Sequence, residues 1–381
     1  MKRYYFDWAA TAVPETFVSG EIPFGNPSSK HREGVAAREA LEDARKRCAA
    51  VLGINPEQLY WTSGGTESNA IVLFSYLKHL SQTSGVLLAG ISEHPSISAN
   101  CAVLQDFGAP VSFIDLEKEG AVSVNTLSKA LEKQKNAGMI AIMTMNNETG
   151  AIADIKSLST FIRAHTSRRI FFHSDMVQAL GKIPLNLSDG LVDSASFSAH
   201  KIGGPRGIGL LYLKQPLDVL ISGGRQERGI RSGTENLAGA LAFTECIEKY
   251  ASEQNLEAHY RDAAIRMQFL INSLRDIKGF KIIPECRKEN DPRFSPYILL
   301  CAFDNIPGEV MARVLDDKGF AVSTGSACSA SSKNHPVLEA MGIDSKTAFN
   351  TIRISQGWST TQDDIKALVS CIKTIVTQQF S

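Results

Sequence analysis

The chain has 381 residues, of which 43% are hydrophobic and 21% are charged, a composition typical of a globular protein long enough for two lobes. Lys plus Arg and Asp plus Glu both number 40, so the net charge is zero and no overall basic field favours nucleic acid or an anionic membrane. The N-terminus lacks the apolar core of a secretory signal, and no apolar run approaches the ~20 residues that span a bilayer, so we predict a soluble, cytoplasmic protein.

Short apolar runs alternate with longer amphipathic stretches through the first part of the chain. This rhythm is typical of an α/β domain in which helices cover the faces of a largely buried sheet. The stretches predicted as helices are residues 35–52, 68–80, 124–134 and 155–164. The runs predicted as strands are residues 86–89, 111–114, 139–145, 170–172, 194–198 and 208–213.

The composition changes in the last third of the chain. A long charged helix is predicted over residues 237–274, where it would connect two lobes, and a smaller α+β pattern follows it. We therefore place a domain boundary near residue 250. Further on, residues 323–332 are small and mostly polar, which suits a loop better than a packed element.

One lysine follows the strand predicted at 194–198. Lys201 ends the run Ser-Ala-His-Lys and stands before the turn Ile-Gly-Gly-Pro-Arg-Gly. Glycine lets the backbone approach a ligand closely, and a desolvated lysine amine can form a Schiff base with a carbonyl cofactor such as pyridoxal 5'-phosphate (PLP). Alone this pattern is weak, because most lysines are solvated surface groups.

An acid near the end of another predicted strand points to the same cofactor. The strand at 170–172 leads to Asp175, at the carboxyl edge of the sheet, where one carboxylate could pair with a pyridinium nitrogen. Gln178 could donate a hydrogen bond to the phenolic oxygen of the ring. The alternative is that Asp175 caps a helix, a common use of Asp after a strand.

A phosphate cradle is predicted where the second helix begins. Gly64, Gly65 and Thr66 offer amide donors and a hydroxyl at the positive end of a helix dipole. The spacing is not that of a Walker loop, and a plain capped turn is the alternative.

His94, just past the strand at 86–89, could stack on the ring and move protons, although a lone histidine also has structural uses.

The seven cysteines are odd in number and scattered, without a CxxC pair. This argues against a disulfide framework and against structural zinc, and we predict no metal site. Most of the thiols are expected to be small buried hydrophobes. The seven are Cys48, Cys101, Cys246, Cys286, Cys301, Cys328 and Cys371.

Taken in order, a set of short motifs resembles the cysteine desulfurases of the NifS-like and IscS-like group, within the class V aminotransferases. The resemblance covers nearly the whole chain and includes Asp175 and Gln178. The other matching motifs are FDWAAT at 6–11, GNPSS at 25–29, TSGGTE at 62–67, EHP at 93–95, NNETG at 146–150, SAHK at 198–201, RSGTEN at 231–236, GSAC at 325–328 and IRIS at 352–355.

The resemblance implies an α/β fold, the PLP-dependent transferase fold type I. It implies a mainly parallel seven-stranded sheet in a large PLP-binding domain over residues 13–250. The smaller α+β C-terminal domain would then span residues 251–381 and include the N-terminal arm, residues 1–12.

The resemblance also implies roles for the predicted site residues. Lys201 would carry PLP, Asp175 and Gln178 would hold its ring, and His94 would stack on it. The other implied cofactor contacts are Gly65, Thr66, Ser198 and His200 around the phosphate, Asn147 beside the ring oxygen, and Thr234 from the second subunit of a homodimer.

Cys328 decides the implied reaction. L-Cysteine would bind with its carboxylate on Arg353 and beside Asn147, and Lys201 would remove the Cα proton. The Cys328 thiolate would attack the substrate sulfur, leaving a persulfide on the enzyme and releasing L-alanine, while His94 handles the thiol proton. The persulfide would pass to an acceptor protein such as an iron-sulfur scaffold, and no nucleic-acid or membrane partner is expected.

Two departures and three rival functions accompany the resemblance. The segment from Cys328 to Val337 is slightly shorter than expected, which bears on acceptor docking. The segment between Thr11 and Gly25 lacks several residues near the expected active-site entrance. The rivals are a selenocysteine lyase, another class V PLP aminotransferase in which Cys328 is incidental, and a non-catalytic scaffold protein. The identity of the sulfur acceptor stays open.

Overall fold

The computed structural model describes residues 2–15, 21–83, 85–165, 169–324 and 335–379. In these ranges the strands are β1 (Tyr4–Tyr5), β2 (Leu59–Thr62), β3 (Val86–Gly90), β4 (Val111–Ile114), β5 (Ala137–Ala141), β6 (Phe171–Asp175), β7 (Ser194–Ser198), β8 (Gly209–Leu213), β9 (Phe280–Ile283), β10 (Ile298–Phe303), β11 (Phe320–Ala321) and β12 (Thr351–Ser355). The α-helices are α1 (Arg32–Leu52), α2 (Gly65–Thr83), α3 (Pro95–Asp106), α4 (Val124–Lys133), α5 (Ile155–His165), α6 (Leu237–Ala251), α7 (Glu253–Arg275), α8 (Gly308–Asp317), α9 (Pro336–Ala340), α10 (Ser345–Phe349) and α11 (Gln362–Gln379). Among the described residues, no helix combines the length and apolar character needed to cross a membrane.

Seven strands form the main sheet, in the order β2-β8-β7-β6-β5-β3-β4. The pairs β3-β4, β3-β5, β5-β6 and β6-β7 are parallel, and β8 runs antiparallel to both of its neighbours. Both faces of the sheet are buried, since the adjacent β3 residues Leu87 and Leu88 pack into different hydrophobic clusters. The predicted α/β fold with a mainly parallel seven-stranded sheet is confirmed, and such a sheet explains the continuous apolar runs.

Most predicted elements of this region coincide with observed ones, and the main differences lie at their ends. The strand predicted at 139–145 ends at Ala141, although the backbone N–H of Thr144 still donates to the Asp175 carbonyl at 2.9 Å. Beyond Ala141 the chain therefore runs beside β6 without the continuous hydrogen bonds that define a strand. Strand β2 was not predicted, because its four buried residues are too few to show a period.

A second core surrounds the three-stranded antiparallel sheet formed by β9, β10 and β12. Helices α7, α8 and α11 contribute apolar residues to it, and Phe6 from the N-terminal segment is buried in the same cluster. Strand β1 pairs in parallel with β11, so the start of the chain contacts the C-terminal region. The division into domains 13–250 and 251–381, with the arm 1–12, stays a prediction.

The long helix predicted over residues 237–274 is wrong, because the segment forms two helices. Helix α6 ends at Ala251 and α7 begins at Glu253, and Ser252 between them has an extended backbone with φ −62° and ψ 140°. Helix α6 packs in the main-sheet core, whereas α7 contributes Ala263 to that core and its later residues, from Met267 on, to the second core. Phe243 of α6 belongs to the main-sheet cluster, whereas Leu270 of α7 belongs to the second cluster. Helical periodicity continues across the break, so the sequence pattern does not separate the two helices and only their packing does.

A buried ion pair ties the loop before α6 to the main sheet. Arg45 of α1 donates from Nη1 and Nη2 to the two carboxylate oxygens of Glu227 at 2.7 and 2.8 Å, and both residues are buried. Glu227 also accepts a hydrogen bond from the backbone N–H of Trp61 at 2.6 Å. Glu227 and Arg228 have φ values of 46° and 54°, in the left-handed region that disfavours side chains. The ion pair therefore holds a strained turn against the sheet.

We expect Arg45→Met to destabilise the protein strongly, because Glu227 would keep a buried charge without its partner. Breaking such a buried pair typically lowers the free energy of unfolding by about 3–5 kcal/mol. Urea denaturation followed by circular dichroism measures this change. Lys366→Met is the control, because Lys366 pairs with Asp363 on the surface, where ion pairs contribute little. Equal losses in the two variants would contradict the role given to the buried pair.

Candidate active site

The carboxyl ends of the parallel strands meet at one edge of the main sheet. His94 follows β3, Asp175 ends β6, and Lys201 follows β7. The three groups are close enough for their charges to interact. Burial lowers the pKa of His94 below its ordinary value, the charge of Asp175 opposes that shift, and the charge of Lys201 adds to it. The structure thus brings together three residues that were predicted from separate motifs.

The carboxylate of Asp175 is held from two sides. Asn69 Nδ2 donates to Oδ2 at 2.7 Å, and the backbone N–H of Val177 donates to Oδ1 at 2.9 Å. Turns follow β6 at this point, so the alternative in which Asp175 caps a helix is wrong. A carboxylate fixed in this way at a strand end can face a basic ring nitrogen.

Asn69 connects Asp175 to a buried histidine. Because Asn69 Nδ2 donates to Asp175, its Oδ1 accepts from His173 Nε2, at 2.9 Å. Burial lowers the pKa of His173 to about 3, so the ring is neutral at pH 7. Sequence reasoning gave neither Asn69 nor His173 a role. The one available signal was that each lies close along the chain to a predicted site residue.

The Lys201 amine contacts the N-terminal segment. Nζ donates to the carbonyl oxygens of Ala9 and Ala10 at 2.6 and 2.8 Å. Gln178 Nε2 donates to the same Ala9 oxygen at 2.7 Å. Lys201 and Gln178 therefore share an acceptor and lie side by side, although they come from different motifs.

The first turn of α2 has the features of an anion cradle. The helix begins at Gly65, so Gly65 and Thr66 lie at the positive end of its dipole. A Cβ at Gly65 would stand 2.6 Å from Val177 Cγ2, so this close approach requires glycine. Ser198 lies against the same turn, with its Oγ 3.7 Å from the place of a Cβ at Gly64. Backbone N–H groups and hydroxyls are therefore available to a phosphate.

Two histidines border the site. His94 is the N-cap of α3, where Nδ1 accepts from the backbone N–H of Ser96 at 3.1 Å, which leaves Nε2 for proton exchange. Burial, with a further contribution from the charge of Lys201, lowers the pKa of His200 to about 4. The Nδ1 atom of His200 lies 3.2 Å from Thr11 Oγ1. Both rings are therefore mainly neutral at pH 7 and can bind a ligand without adding charge.

Arg353 belongs to β12 of the second sheet and contacts both the loop after β5 and the N-terminal segment. Its side chain is buried, Nη1 donates to the Asn147 carbonyl at 2.8 Å, and Nη2 donates to Asp7 Oδ1 at 2.8 Å. The structure thus brings together Arg353 and Asn147, the two residues expected to meet the substrate. The contact with Asp7 was not predicted. A guanidinium oriented in this way can take a carboxylate as a bidentate pair.

Two of the predicted site residues, Cys328 and Thr234, are not seen at this site in the described ranges. Cys328 falls in residues 325–334, which lie outside the described ranges. Thr234 is exposed on the loop before α6. The nucleophile and the contact from a second subunit therefore stay predictions.

The described residues fit PLP. The start of α2 suits a phosphate, Asp175 suits a ring nitrogen, and Gln178 suits a ring oxygen. The amine of Lys201 lies beside them and suits the carbonyl group of the cofactor. All four groups come from one edge of the sheet, which is where open α/β sheets bind ligands.

The family model described as aminotransferase class-V matches residues 3–368. The chain belongs to this family. The match covers both cores, from the N-terminal segment that contacts Lys201 to helix α11.

Within this family, the chain is similar to proteins named as cysteine desulfurases or NifS-like proteins. A protein named cysteine desulfurase IscS from Dictyoglomus turgidum is 34% identical over 388 residues, which cover 99% of this chain and 95% of the relative. A NifS/IcsS protein homolog from Lactobacillus delbrueckii subsp. bulgaricus is 35% identical and covers 99% of this chain and 98% of its own. The solved structure of a NifS-like protein is 30% identical, with a TM-score of 0.88 over 99% of this chain and 100% of the other. The predicted resemblance and fold type I are confirmed.

Glu93 is a buried acid beside His94. Its Oε1 accepts from the backbone N–H of Met143 at 2.6 Å, whereas its Oε2 has no hydrogen-bond partner in the part of the chain that the structure describes. Burial raises the pKa of Glu93 well above its ordinary value, and the charge of Asp175 adds to the shift. Glu93 therefore keeps its proton in the folded protein at pH values where an exposed glutamate is ionised.

We expect Glu93→Gln to become more stable than the wild type as the pH rises. Glu93 has a higher pKa in the folded than in the unfolded protein, so the unfolded state is favoured as pH rises above its ordinary pKa of 4.5. Gln has no such proton to lose. The thermal midpoints should therefore be similar at about pH 4 and higher for the variant at about pH 8.

Glu117→Gln is the matched control and should change stability in the opposite sense. Hydrogen bonds from Asn125 and Ser123 lower the pKa of Glu117, so its ionised form stabilises the fold at neutral pH. A Glu93→Gln variant whose midpoint relative to wild type did not change with pH would show that Glu93 is ionised in the folded protein.

Proposed function

We propose that this chain is a PLP-dependent cysteine desulfurase that converts L-cysteine to L-alanine and captures the sulfur as a persulfide on Cys328. The observation that carries the proposal is the meeting of Lys201, Asp175 and His94 at one sheet edge. It is supported by relatives named cysteine desulfurase that align over nearly their whole length.

Residues from several elements of the main-sheet region would hold the cofactor. Lys201 would bind PLP covalently through Nζ, Asp175 would face the ring nitrogen, and Gln178 would donate to the ring oxygen. When bound, PLP withdraws electrons from the substrate Cα, a chemistry that side chains alone lack. The further contacts would be Gly65, Thr66, Ser198 and His200 at the phosphate, His94 against the ring, Asn147 beside the ring oxygen, and Thr234 from a second subunit.

The substrate would be held and deprotonated by groups already oriented in the structure. Arg353, fixed by Asp7 and the Asn147 carbonyl, would bind the carboxylate of L-cysteine. The Lys201 amine would take up the Cα proton. His94 would exchange the thiol proton at Nε2, because its Nδ1 is occupied by the backbone of Ser96.

Cys328 would take the sulfur as a thiolate nucleophile. A new S–S bond would form between its Sγ and the substrate sulfur as the Cβ–S bond of the substrate breaks. The electron pair of the broken bond would stay with the carbon skeleton, which gains protons and leaves as L-alanine. The carbon is reduced as the sulfur is oxidised, so the step needs no outside oxidant.

The proposal includes the setting of this reaction. We infer a homodimer in the cytoplasm, with Thr234 completing the phosphate site of the other subunit. The persulfide sulfur would be transferred to an acceptor protein such as an iron-sulfur scaffold. The alternative destination of the sulfur is another thiolation pathway. The names IscS and NifS among the relatives and neighbours support the first of these.

Purified protein mixed with PLP and L-cysteine should form alanine and a persulfide that mass spectrometry locates on Cys328. We expect Lys201→Ala to lower alanine formation by ~10²–10⁴-fold, the contribution typical of a positioned proton-transfer group. Cys328→Ala should bind PLP normally but form no enzyme persulfide, because the acceptor thiol is absent.

Cys371→Ala is the control for the thiol assignment, because Cys371 is a partly accessible free cysteine and lies in α11 of the second core. It should behave as the wild type. Full persulfide formation and sulfide release by Cys328→Ala would overturn the assignment of the nucleophile. Alanine production from selenocysteine but not from cysteine would instead favour the selenocysteine lyase. A half-reaction that requires a keto acid would favour the aminotransferase.

A further inference from the structure

Lys182 is a buried lysine that the proposed reaction does not use. It lies in the turn region after β6, only 2% exposed. Its Nζ donates to Gln178 Oε1 at 2.9 Å. Within the described ranges, no carboxylate lies at ion-pair distance from it. A buried ammonium without a carboxylate partner is costly, so its place next to a predicted cofactor contact calls for an explanation.

The surroundings of Lys182 are positively charged. Burial, with further contributions from the charges of Lys201, after β7, and Arg353, in β12, lowers the pKa of Lys182 to about 7. Three basic side chains from three parts of the chain therefore lie near enough for their charges to interact. Such a cluster is suited to an anionic ligand, whose charge would relieve the repulsion between them.

The hydrogen bond from Lys182 determines which way the Gln178 carboxamide points. A carboxamide has one accepting end and one donating end. Lys182 Nζ carries N–H donors in both its charged and its neutral form, and its hydrogen bond to the oxygen of Gln178 leaves Nε2 on the opposite side. There Nε2 donates to the Ala9 carbonyl, the same oxygen that Lys201 Nζ contacts. The donating end of Gln178 is therefore directed to the place where the reactive amine lies.

We propose that Lys182 is a positioning residue for the cofactor, which holds the Gln178 carboxamide so that Nε2 is presented to an anionic ring oxygen of the ligand bound at Lys201. The proposal rests on the proposed PLP site. It assigns a role to a residue that makes no direct contact with the cofactor. A chain of two hydrogen bonds, from Lys182 to Gln178 and from Gln178 to the ligand, would carry its effect.

The first test measures the affinity of the apoprotein for PLP by titration of the absorption of the bound cofactor. Lys182→Met keeps the length of the side chain and removes the donor, and we expect it to raise the PLP dissociation constant about tenfold, equivalent to ~1.4 kcal/mol. In a Gln178→Ala background the same substitution should change the dissociation constant little, because the amide that Lys182 orients is gone. Lys182→Gln, which keeps an N–H donor, should give an intermediate affinity and serves if the Met variant does not fold.

The second test separates positioning from a structural role. In the unfolded chain Lys182 has its ordinary pKa of 10.5, whereas burial lowers it in the folded protein, so the wild type gains stability as pH rises from about 7 towards that value. Lys182→Met lacks this dependence. Without PLP, it should have a thermal midpoint equal to or above that of the wild type near pH 7, and the difference should fall as the pH rises.

Lys214→Met is the matched control, because Lys214 follows β8, which runs antiparallel to β7 and so ends at the opposite edge of the sheet. It should leave PLP affinity unchanged. The proposal is overturned if Lys182→Met binds PLP as tightly as the wild type, or weakens binding equally in the Gln178→Ala background. A wild-type protein that does not bind PLP would instead refute the proposed function.

Discussion

The parallel pairing of β5, β6 and β7 is the constraint on which the candidate active site depends. Parallel strands end at the same edge of a sheet, so residues far apart in sequence meet there. Asp175 and Lys201 come from neighbouring strand ends, and the start of α2 lies against β7 through Ser198. A buried sheet also places these groups in a weakly solvated setting, which is why the pKa values of His94 and Lys182 are lowered mainly by burial.

The N-terminal segment joins this edge to the second core. Its Ala9 carbonyl accepts from both Lys201 and Gln178, and its Asp7 binds Arg353. The backbone N–H of Ala9 donates to Ser355 Oγ in β12 at 2.9 Å. A short stretch of chain thus satisfies polar groups of both cores at once. The residues proposed to hold the cofactor and the substrate carboxylate therefore contact the same segment.

Much of the main sheet could be predicted from the sequence, because buried parallel strands have continuous apolar runs and their helices have a different period. The order of the motifs also predicted that Lys201, Asp175, Gln178 and His94 belong to one site. The break between α6 and α7 could not be predicted, since both segments have helical periodicity and only the packing of the later part of α7 into the second core separates them. Lys182 gave no signal either, because a lysine in sequence carries no mark of its burial.

The sequence by itself determined which reactive groups the chain has and the family to which they belong, since amines, carboxylates, thiols and glycine-rich turns are properties of residue type and order. Only the tertiary structure decided which groups touch and how they ionise. Glu93 and Lys182 are ordinary charged residues in the unfolded chain, and the fold shifts the pKa of each towards its neutral form. The physical reason is that desolvation and neighbouring charges depend on distances between strands, which no local pattern of residues encodes.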